Sequence, residues 1–520
     1  MGKRVAAMRA QGVLVALGLM IAGASVHAQP APDRLNLVPS TAEEIGRVPN
    51  HLVWLRPQLQ MVQDPLDGAL VFIDDDGRVA GRAALPADFD IGAVVVEAEQ
   101  VRLIDTSDRR QVIVERNVDP AAVPALRSVA LPPSALPRAQ FARRDAGQIS
   151  VEMRHRTGTS RFTVRSVTGG TLAQVYEIGD TASPDRFVVT EEIVSSGPEL
   201  VVRAFVQRFD RDGRLVGLAH IPLDGMDVVP RDFITVTDTG AVRVLVPSAG
   251  GVRIREIALS PPRALPAPGS GAPGEQAWRS LGTSTREILV DSNIITPRGS
   301  GDLEPPRRRF VVKAPTPRIT RERVIANARA YLAVNWTMQR DNYAKPGIEN
   351  ICDPPTGRFW LRPTRFTRAS IGKTFGPMPY RWGGDDSPEG FRLRINWGAL
   401  AGDICTCREA LFDFCLVPDA AGVDCSGFVS QAWGIPKRGT AGLMDVAHEL
   451  GSLGEMRPGD AFNRPGRHIR LFVRPAEGAL MAFTVLESAT RRDCEGVCER
   501  TYRPSELHGY RLIRYRGIID

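Results

Sequence analysis

Cysteine is missing from the first two thirds of this 520-residue chain, because all seven cysteines lie at or beyond Cys352. Residues 30–260 also lack the 3.6-residue apolar periodicity of long helices. Beyond the first 28 residues, no stretch is apolar over the ~20 residues that a membrane-spanning helix needs. These absences exclude thiol chemistry from the N-terminal part and predict a mature chain without a transmembrane segment. With 43% hydrophobic residues, the length suffices for more than one globular domain.

Short β-branched runs separated by glycine-containing turns fill residues 30–260, which is typical of an all-β region. Segment 76–86 matches segment 212–222, and weaker copies occur at 126–132 and 170–179. The ends of the four copies are 46, 47 and 43 residues apart, close to the length of one four-stranded propeller blade. We therefore predict a propeller-like domain with a binding or positioning role, and a pair of β-sandwich domains is the alternative.

The N-terminus is typical of a cleaved export signal over residues 1–28. Basic residues precede an apolar run at 13–24, and small residues at 26–28 provide a cleavage site. Removing this segment deletes three positive charges and lowers the formal net charge from +7 to +4. The mature protein is expected to be periplasmic or extracellular.

A Pro/Gly-rich and basic linker is predicted over residues 261–319. Residues 307–323 hold seven basic side chains against one acid. In an exported protein, such a run suits anionic envelope polymers or lipid headgroups, whereas nucleic acid is not an expected partner. A solvated surface without a partner is the alternative.

Helical periodicity begins at Thr320 and predicts a second domain over residues 320–520. Within it, the apolar positions that follow Gly427 predict a helix with Cys425 at its N-terminus. There the helix dipole and the backbone N–H groups favour a thiolate over a thiol. Cys425 is therefore the candidate nucleophile.

His468 is the candidate base. Its strand pattern puts His468 and Arg470 on one face, opposite an apolar face. A turn at 475–478 would place His468 opposite about position 485 and within two residues of Glu487. The Glu487 carboxylate would then orient the imidazole and complete a Cys-His-Glu triad.

The polar neighbours of this pair leave alternatives open. Arg470 would point to the cleft and bind a substrate carboxylate, or it serves a packing or salt-bridge role. His448, in a run with a helical pattern, and His508 are alternative bases.

Seven cysteines allow three disulfides and one reduced thiol, which we assign to Cys425. The alternative is that Cys425 is a half-cystine. Zinc binding by four of the others is a second alternative, although the Cys-x-Cys spacing does not match usual zinc sites. No metal or cofactor is therefore expected. The cysteines predicted to be bridged are Cys352, Cys405, Cys407, Cys415, Cys494 and Cys498.

Four motifs in order resemble the NlpC-type family of papain-like cell-wall cysteine peptidases. They are Pro-Tyr-Arg-Trp-Gly-Gly at 379–384, Asp-Cys-Ser-Gly-Phe at 424–428, Arg-Pro-Gly-Asp at 457–460, and the strand that begins at His468. The chain departs from the family in having Arg470 where a small residue is common and Glu487 where His, Asn or Gln is usual. It also carries a cysteine-bearing insertion at 385–423.

This resemblance implies an α+β papain-like domain that hydrolyses peptide bonds in peptidoglycan, most commonly between γ-D-glutamate and the diamino acid. It also implies that Tyr380, Asp424 and Ser426 bind the free α-amine of the stem peptide, although Asp424 is equally suited to capping the helix. The alternatives are an amidase, a transpeptidase, another protease, or a non-catalytic envelope-binding protein.

Overall fold

A computed structural model describes most of the chain in two stretches. It covers residues 34–294 except 39, 41–45, 67, 87–88, 107, 124, 132–138, 146, 156–157, 179–184, 227, 263–264 and 266–277, and residues 317–520 except 349, 351–359, 406–416 and 479. The predicted export signal and the basic run up to residue 316 lie outside the described residues. No helix among the described residues is long and apolar enough to cross a membrane.

Five antiparallel sheets follow one another in the N-terminal part. The first contains β2–β5 (Asn50–Arg56, Leu59–Gln63, Leu70–Asp74, Val79–Ala83) and the second β6–β9 (Ala93–Val96, Gln100–Asp105, Arg110–Glu115, Val129–Ala130). The third contains β10–β12 (Ala139–Asp145, Gln148–His155, Gly158–Arg165) and the fourth β13–β16 (Thr171–Glu177, Arg186–Ser196, Leu200–Phe209, Leu215–Ile221). The fifth contains β17–β20 (Ile234–Val236, Val242–Ser248, Gly251–Ala258, Thr283–Val290). Each sheet is built from consecutive strands, as propeller blades are.

The first and fifth sheets meet, so the succession closes on itself. The N–H groups of His51 and Leu52 at the start of β2 donate to the carbonyls of Arg231 and Asp232, both at 2.9 Å. A short parallel pair, β1 (Leu35–Leu37) with β21 (Ser292–Ile294), adds a second connection between the chain ends of this region. The arrangement agrees with the propeller-like prediction rather than with two separate sandwiches.

The repeated segments form the same turn in different sheets. In the turn between β4 and β5, the Asp74 carboxylate accepts from the N–H groups of residues 76 and 78 at 2.9 and 2.8 Å. Asp210 does the same between β15 and β16, at 3.0 and 2.9 Å. Gly77 and Gly213 have φ of 87° and 77°, a conformation that glycine adopts without strain. Both turns join the third and fourth strands of their sheets.

Two details of the repeat and its boundary differ from the prediction. Segment 170–179 contains β13, the first strand of the fourth sheet, so it is not a copy of a third-to-fourth-strand turn. The predicted linker over 261–319 contains β20, which pairs with β19 and completes the fifth sheet. The propeller-like region therefore continues past residue 260.

The C-terminal part combines short helices with an antiparallel sheet ordered β27-β32-β28-β29-β30-β31. These strands are β27 (Ala447–Glu449), β28 (Ala461–Arg464), β29 (His468–Pro475), β30 (Phe483–Ala489), β31 (Gly496–Tyr502) and β32 (Arg511–Tyr515). Three short pairs lie outside it: β22 (Ile319–Thr320) with β33 (Ile518–Ile519), β23 (Trp336–Thr337) with β24 (Thr374–Phe375), and β25 (Leu400–Ala401) with β26 (Ala420–Ala421). The helices are α1 (Arg321–Leu332), α2 (Arg340–Tyr343), α3 (Pro388–Asn396), α4 (Cys425–Ala432) and α5 (Thr440–Leu443).

The two parts pack against each other through a shared core. Phe462, Phe483 and Tyr510 of the C-terminal part belong to the same buried cluster as residues of the first, fourth and fifth sheets. The Leu200 N–H donates to the Tyr510 carbonyl at 2.9 Å, so the backbone also connects them. The propeller-like region therefore supports one face of the sheet that carries His468.

Candidate active site

Helix α4 begins at Cys425, as the apolar spacing predicted. Asp424 caps it, since its Oδ1 accepts from the Gly427 N–H at 2.6 Å. A Cβ on Gly427 would lie 2.2 Å from the Gly384 carbonyl oxygen, so glycine allows the 383–384 turn to pack on the helix. Cys425 is reduced and fully buried, and it belongs to an apolar cluster with Phe428 and Ile469.

His468 and Glu487 form a buried pair. The His468 Nε2 and the Glu487 Oε2 are 2.8 Å apart, and both side chains are 0% exposed. A carboxylate can only accept, so Nε2 carries the hydrogen and Nδ1 is the basic nitrogen of the neutral ring. The predicted base and orienting residue therefore meet.

The hairpin register differs from the predicted one. Val485 pairs with Phe472, and Leu486 with Leu471, so position 485 does not face His468. A bulge between Phe472 and Arg474 and a longer turn shift the strand. Glu487 still reaches His468 because its side chain points to the same sheet face.

The N-terminus of α4 lies at the end of the sheet that carries this pair. The Ser488 hydroxyl, next to Glu487, donates to the Val423 carbonyl at 2.7 Å. Helix α4 packs on β29 and β30, and Phe428 and Val429 share a core with Ile469 and Leu471. The nucleophile, base and orienting residue are thus carried by elements in direct contact.

Arg470 does not face an open cleft. It is 2% exposed and its Nε donates to the Glu487 Oε2 at 2.9 Å. The guanidinium carbon lies 4.1 Å from the Tyr502 ring centre and 4.7 Å from that of Tyr510. Arg470 therefore has the salt-bridge role that was given as the alternative. The prediction that it points to the cleft and binds a substrate carboxylate is wrong.

Tyr502 was missed by the sequence analysis. Its hydroxyl donates to the Glu487 Oε1. Strand alternation in β31 marks Tyr502 as inward-pointing, but its partner depends on the pairing register of β30 with β31. Glu487 therefore receives hydrogen bonds from three side chains: His468, Arg470 and Tyr502.

These contacts set the charges of the site. Burial opposes ionisation of Glu487, but Arg470 and His468 outweigh it and hold the pKa of the carboxyl well below its ordinary value. For His468, burial is the main cause of a lowered pKa, and the contact with Glu487 offsets this effect only in part. Glu487 is therefore an anion, and His468 in the resting protein is a neutral base.

We expect the buried pair to make the protein sensitive to acid. Both pKa values are lowered in the folded state, so the stability they contribute is present above the ordinary values of 6.5 and 4.5 and is lost as pH falls. Urea unfolding at pH 7.5, 6.0 and 4.5 should show the free energy of unfolding falling by up to about 1.4 kcal/mol per pH unit for each proton taken up. Because the Glu487 contribution is lost only below about pH 4.5, equal stability at pH 7.5 and 4.5 would contradict the assignment of His468 as a buried neutral base.

Three residues assigned to amine binding are buried around Cys425. Tyr380 lies in a segment bridged to Val423, and the Ser426 hydroxyl donates to the Asp424 Oδ1 at 3.1 Å. Lys437, which was not predicted, donates from Nζ to the Asp424 Oδ2 at 2.6 Å and to the Gly384 carbonyl at 3.1 Å. The Lys437 ammonium group thus pairs with the Asp424 carboxylate, which was expected to bind the substrate amine.

The alternative bases lie elsewhere. His448 is in strand β27, paired with Arg514, rather than in the predicted helical run. His508 contacts the propeller-like region through the Asp224 carboxylate at 3.1 Å and the Val202 N–H at 3.2 Å. His508 therefore stabilises the contact between the propeller-like region and the C-terminal part.

Two disulfides are consistent with the predicted cysteine arrangement. Cys494 is bonded to Cys498, and Cys405 is also in a disulfide, which leaves it no thiolate for zinc. Cys352, Cys407 and Cys415 lie outside the described residues.

No protein-family model matches the chain, and no curated protein matches it. Among solved structures, it is similar to a streptogramin B lyase, at 13% identity over 45% of this chain and 72% of that one, with a TM-score of 0.19. A putative 6-phosphogluconolactonase from Bacteroides fragilis is 12% identical over 45% of this chain and 68% of its own, with a TM-score of 0.19. The chain spans 58% of Kluyveromyces lactis Hsv2p, with 39% of its own length at 13% identity and a TM-score of 0.16. Matches at these TM-scores say nothing about the function of this chain.

Proposed function

We propose that the protein is an exported cysteine hydrolase of peptide bonds in peptidoglycan stem peptides, with a papain-like catalytic domain. The observation that carries this proposal is the buried His468–Glu487 pair at the sheet end where α4 begins with Cys425. The four motifs quoted above and the lowered pKa values of His468 and Glu487 support it. Peptidoglycan or another anionic envelope polymer is the proposed partner, and the export signal predicted from the sequence at 1–28 is the reason for proposing export.

The proposed reaction has two covalent steps. The neutral His468 takes the proton of the Cys425 thiol, and the sulfur attacks the carbonyl carbon and forms a carbon–sulfur bond, while N–H groups at the start of α4 stabilise the oxyanion. His468 delivers a proton to the amine as the carbon–nitrogen bond breaks. His468 then takes a proton from water, whose oxygen attacks the acyl carbon and releases the Cys425 sulfur.

Digestion of purified peptidoglycan tests the proposal. The mature protein is incubated with intact sacculi and with released stem peptides, and the fragments are weighed by mass spectrometry. A mass gain of one water at a γ-D-glutamyl bond is expected. Fragments cut at another amide would support the amidase or protease alternative.

The complete burial of Cys425 and His468 favours a second candidate, a non-catalytic envelope-binding protein. In that case no substrate reaches the thiol. Iodoacetamide separates the two candidates, because a working nucleophile is alkylated at neutral pH in the native protein. Labelling of Cys425 only after denaturation, together with binding of sacculi, would favour the second candidate.

Asp424→Asn tests amine recognition. Asparagine also caps helices well, so we expect a stability change below about 1 kcal/mol, while the charge that would attract a free α-amine is lost. The ratio of cleavage rates for released over sugar-linked stem peptides should fall by about tenfold. Lys437→Met is the matched variant, since it vacates the Asp424 Oδ2 and should raise that ratio. An unchanged ratio in both variants would leave Asp424 as a helix cap alone.

A further inference from the structure

A cavity of about 800 Å³ lies between the propeller-like region and the C-terminal part. Its volume is in the range of small-molecule sites, which often lie at domain interfaces. None of Cys425, His468 and Glu487 lines it. The cavity is therefore distinct from the candidate active site and is not explained by the proposed hydrolysis.

The charges in the cavity wall are unbalanced. Six basic side chains face three acidic ones. The basic residues are Arg47 and Arg231 from the N-terminal part, and Arg365, Lys373, Arg491 and Arg492 from the C-terminal part.

Two of the three acids are already neutralised by residues outside the wall. Asp64 is paired with Arg82 at 2.9 Å, and Asp493 is paired with Arg500 outside the wall and, at 3.6 Å, with Arg491 inside it. Burial is the main cause that raises the pKa of the third acid, Asp90. Asp90 therefore ionises less readily than an ordinary aspartate. The cavity thus keeps a positive excess that its own acids do not cancel.

Three of the cations are available to a ligand. Within the described part of the chain, Arg365, Lys373 and Arg492 make no ion pair. One nitrogen of the Arg365 guanidinium donates to the Pro377 carbonyl at 3.3 Å, whereas its buried Nε has no hydrogen-bond partner among the described residues.

The rest of the wall suits a ligand with a carbon skeleton. Phe89, Ile91, Val228 and Phe375 provide apolar surface, and the Thr367 side chain provides a hydroxyl, whereas the Thr364 hydroxyl donates to the Glu495 carboxylate at 2.8 Å. Guanidinium groups bind carboxylates and phosphates through paired hydrogen bonds. We propose that this cavity binds a small organic anion carrying carboxylate or phosphate groups, held between the two parts of the chain by Arg365, Lys373 and Arg492.

Calorimetric titration of the full mature chain tests the proposal with two probes, glutarate and glycerol phosphate. At least one should bind with a Kd below about 1 mM in 50 mM NaCl. Lys373→Ala and Arg492→Gln should each weaken binding by about tenfold. Arg368→Gln is the matched control, because Arg368 is exposed on the same segment and does not line the cavity. Cys425→Ala should bind as the wild type does.

The pattern across the probes identifies the ligand chemistry. Binding of glutarate alone assigns the cavity to carboxylates, binding of glycerol phosphate alone assigns it to phosphates, and equal binding shows that charge alone is recognised. Absence of binding by both probes at 10 mM would overturn the proposal. So would an equal loss of affinity in Arg368→Gln and Lys373→Ala, because the attraction would then be a diffuse effect of surface charge.

Discussion

Cys425→Ala is expected to lower kcat/KM for stem-peptide cleavage by at least about 10⁴-fold, because the variant has no atom that can form the acyl-enzyme. The same variant should lose the one thiol that titrates in the denatured, oxidised wild type. Cleavage is followed by mass spectrometry of released fragments, and the thiol by a chromogenic disulfide reagent. Stability should change little, since the substitution removes a single buried atom.

Gln431→Ala is the matched control on the same helix. Gln431 lies near the end of α4, and its side-chain amide donates to the Asp385 carbonyl at 3.0 Å. Its turnover should stay within about twofold of the wild type. Turnover by Cys425→Ala at a comparable rate would show that the thiol is not the nucleophile.

Glu487→Gln is expected to affect both stability and turnover. The buried Arg470 guanidinium would lose its carboxylate, which should lower the free energy of unfolding by about 3–5 kcal/mol. His468 would lose the carboxylate charge that stabilises its protonated form, and the new amide NH2 could favour the wrong tautomer, which should lower kcat by about 10²–10⁴-fold. Urea unfolding and initial rates measure the two effects. Glu499→Gln, at an exposed site on β31 4.0 Å from Arg474, should change stability by less than about 0.5 kcal/mol.

A double variant separates the two effects of Glu487. Glu487→Gln with Arg470→Met removes both buried charges, so stability should recover by a few kcal/mol while turnover stays low. Tyr502→Phe, which removes only one hydrogen bond to Glu487, should cost about 1 kcal/mol. Near-wild-type turnover in the double variant would show that Glu487 does not orient His468.

Interactions within short segments were predictable. Helix α4 begins at Cys425 because Asp424 caps it and the apolar residues repeat at helical spacing. The repeated Asp-Gly turns recur because the carboxylates of Asp74 and Asp210 bond to the N–H groups of their own turns. Such patterns depend on a few neighbouring residues, so they are visible without a structure.

The roles of Arg470, Lys437 and Tyr502 could not be read in this way. Strand alternation placed Arg470 beside His468, but not whether that face meets solvent or the rings of Tyr502 and Tyr510. A bulge in β29 changed the register, and loop packing brought Lys437 to Asp424.

Residue order thus predicted the helix that begins at Cys425, the strand that carries His468 and the all-β character of the N-terminal part, since these follow from local periodicity and capping. The packing of the two parts created the buried charge network around Glu487 and the basic cavity. Their partners are hundreds of residues apart in the chain or lie on strands whose register is set by the whole sheet. Burial then decides which charges are paired, because an unpaired charge is costly only where water is excluded.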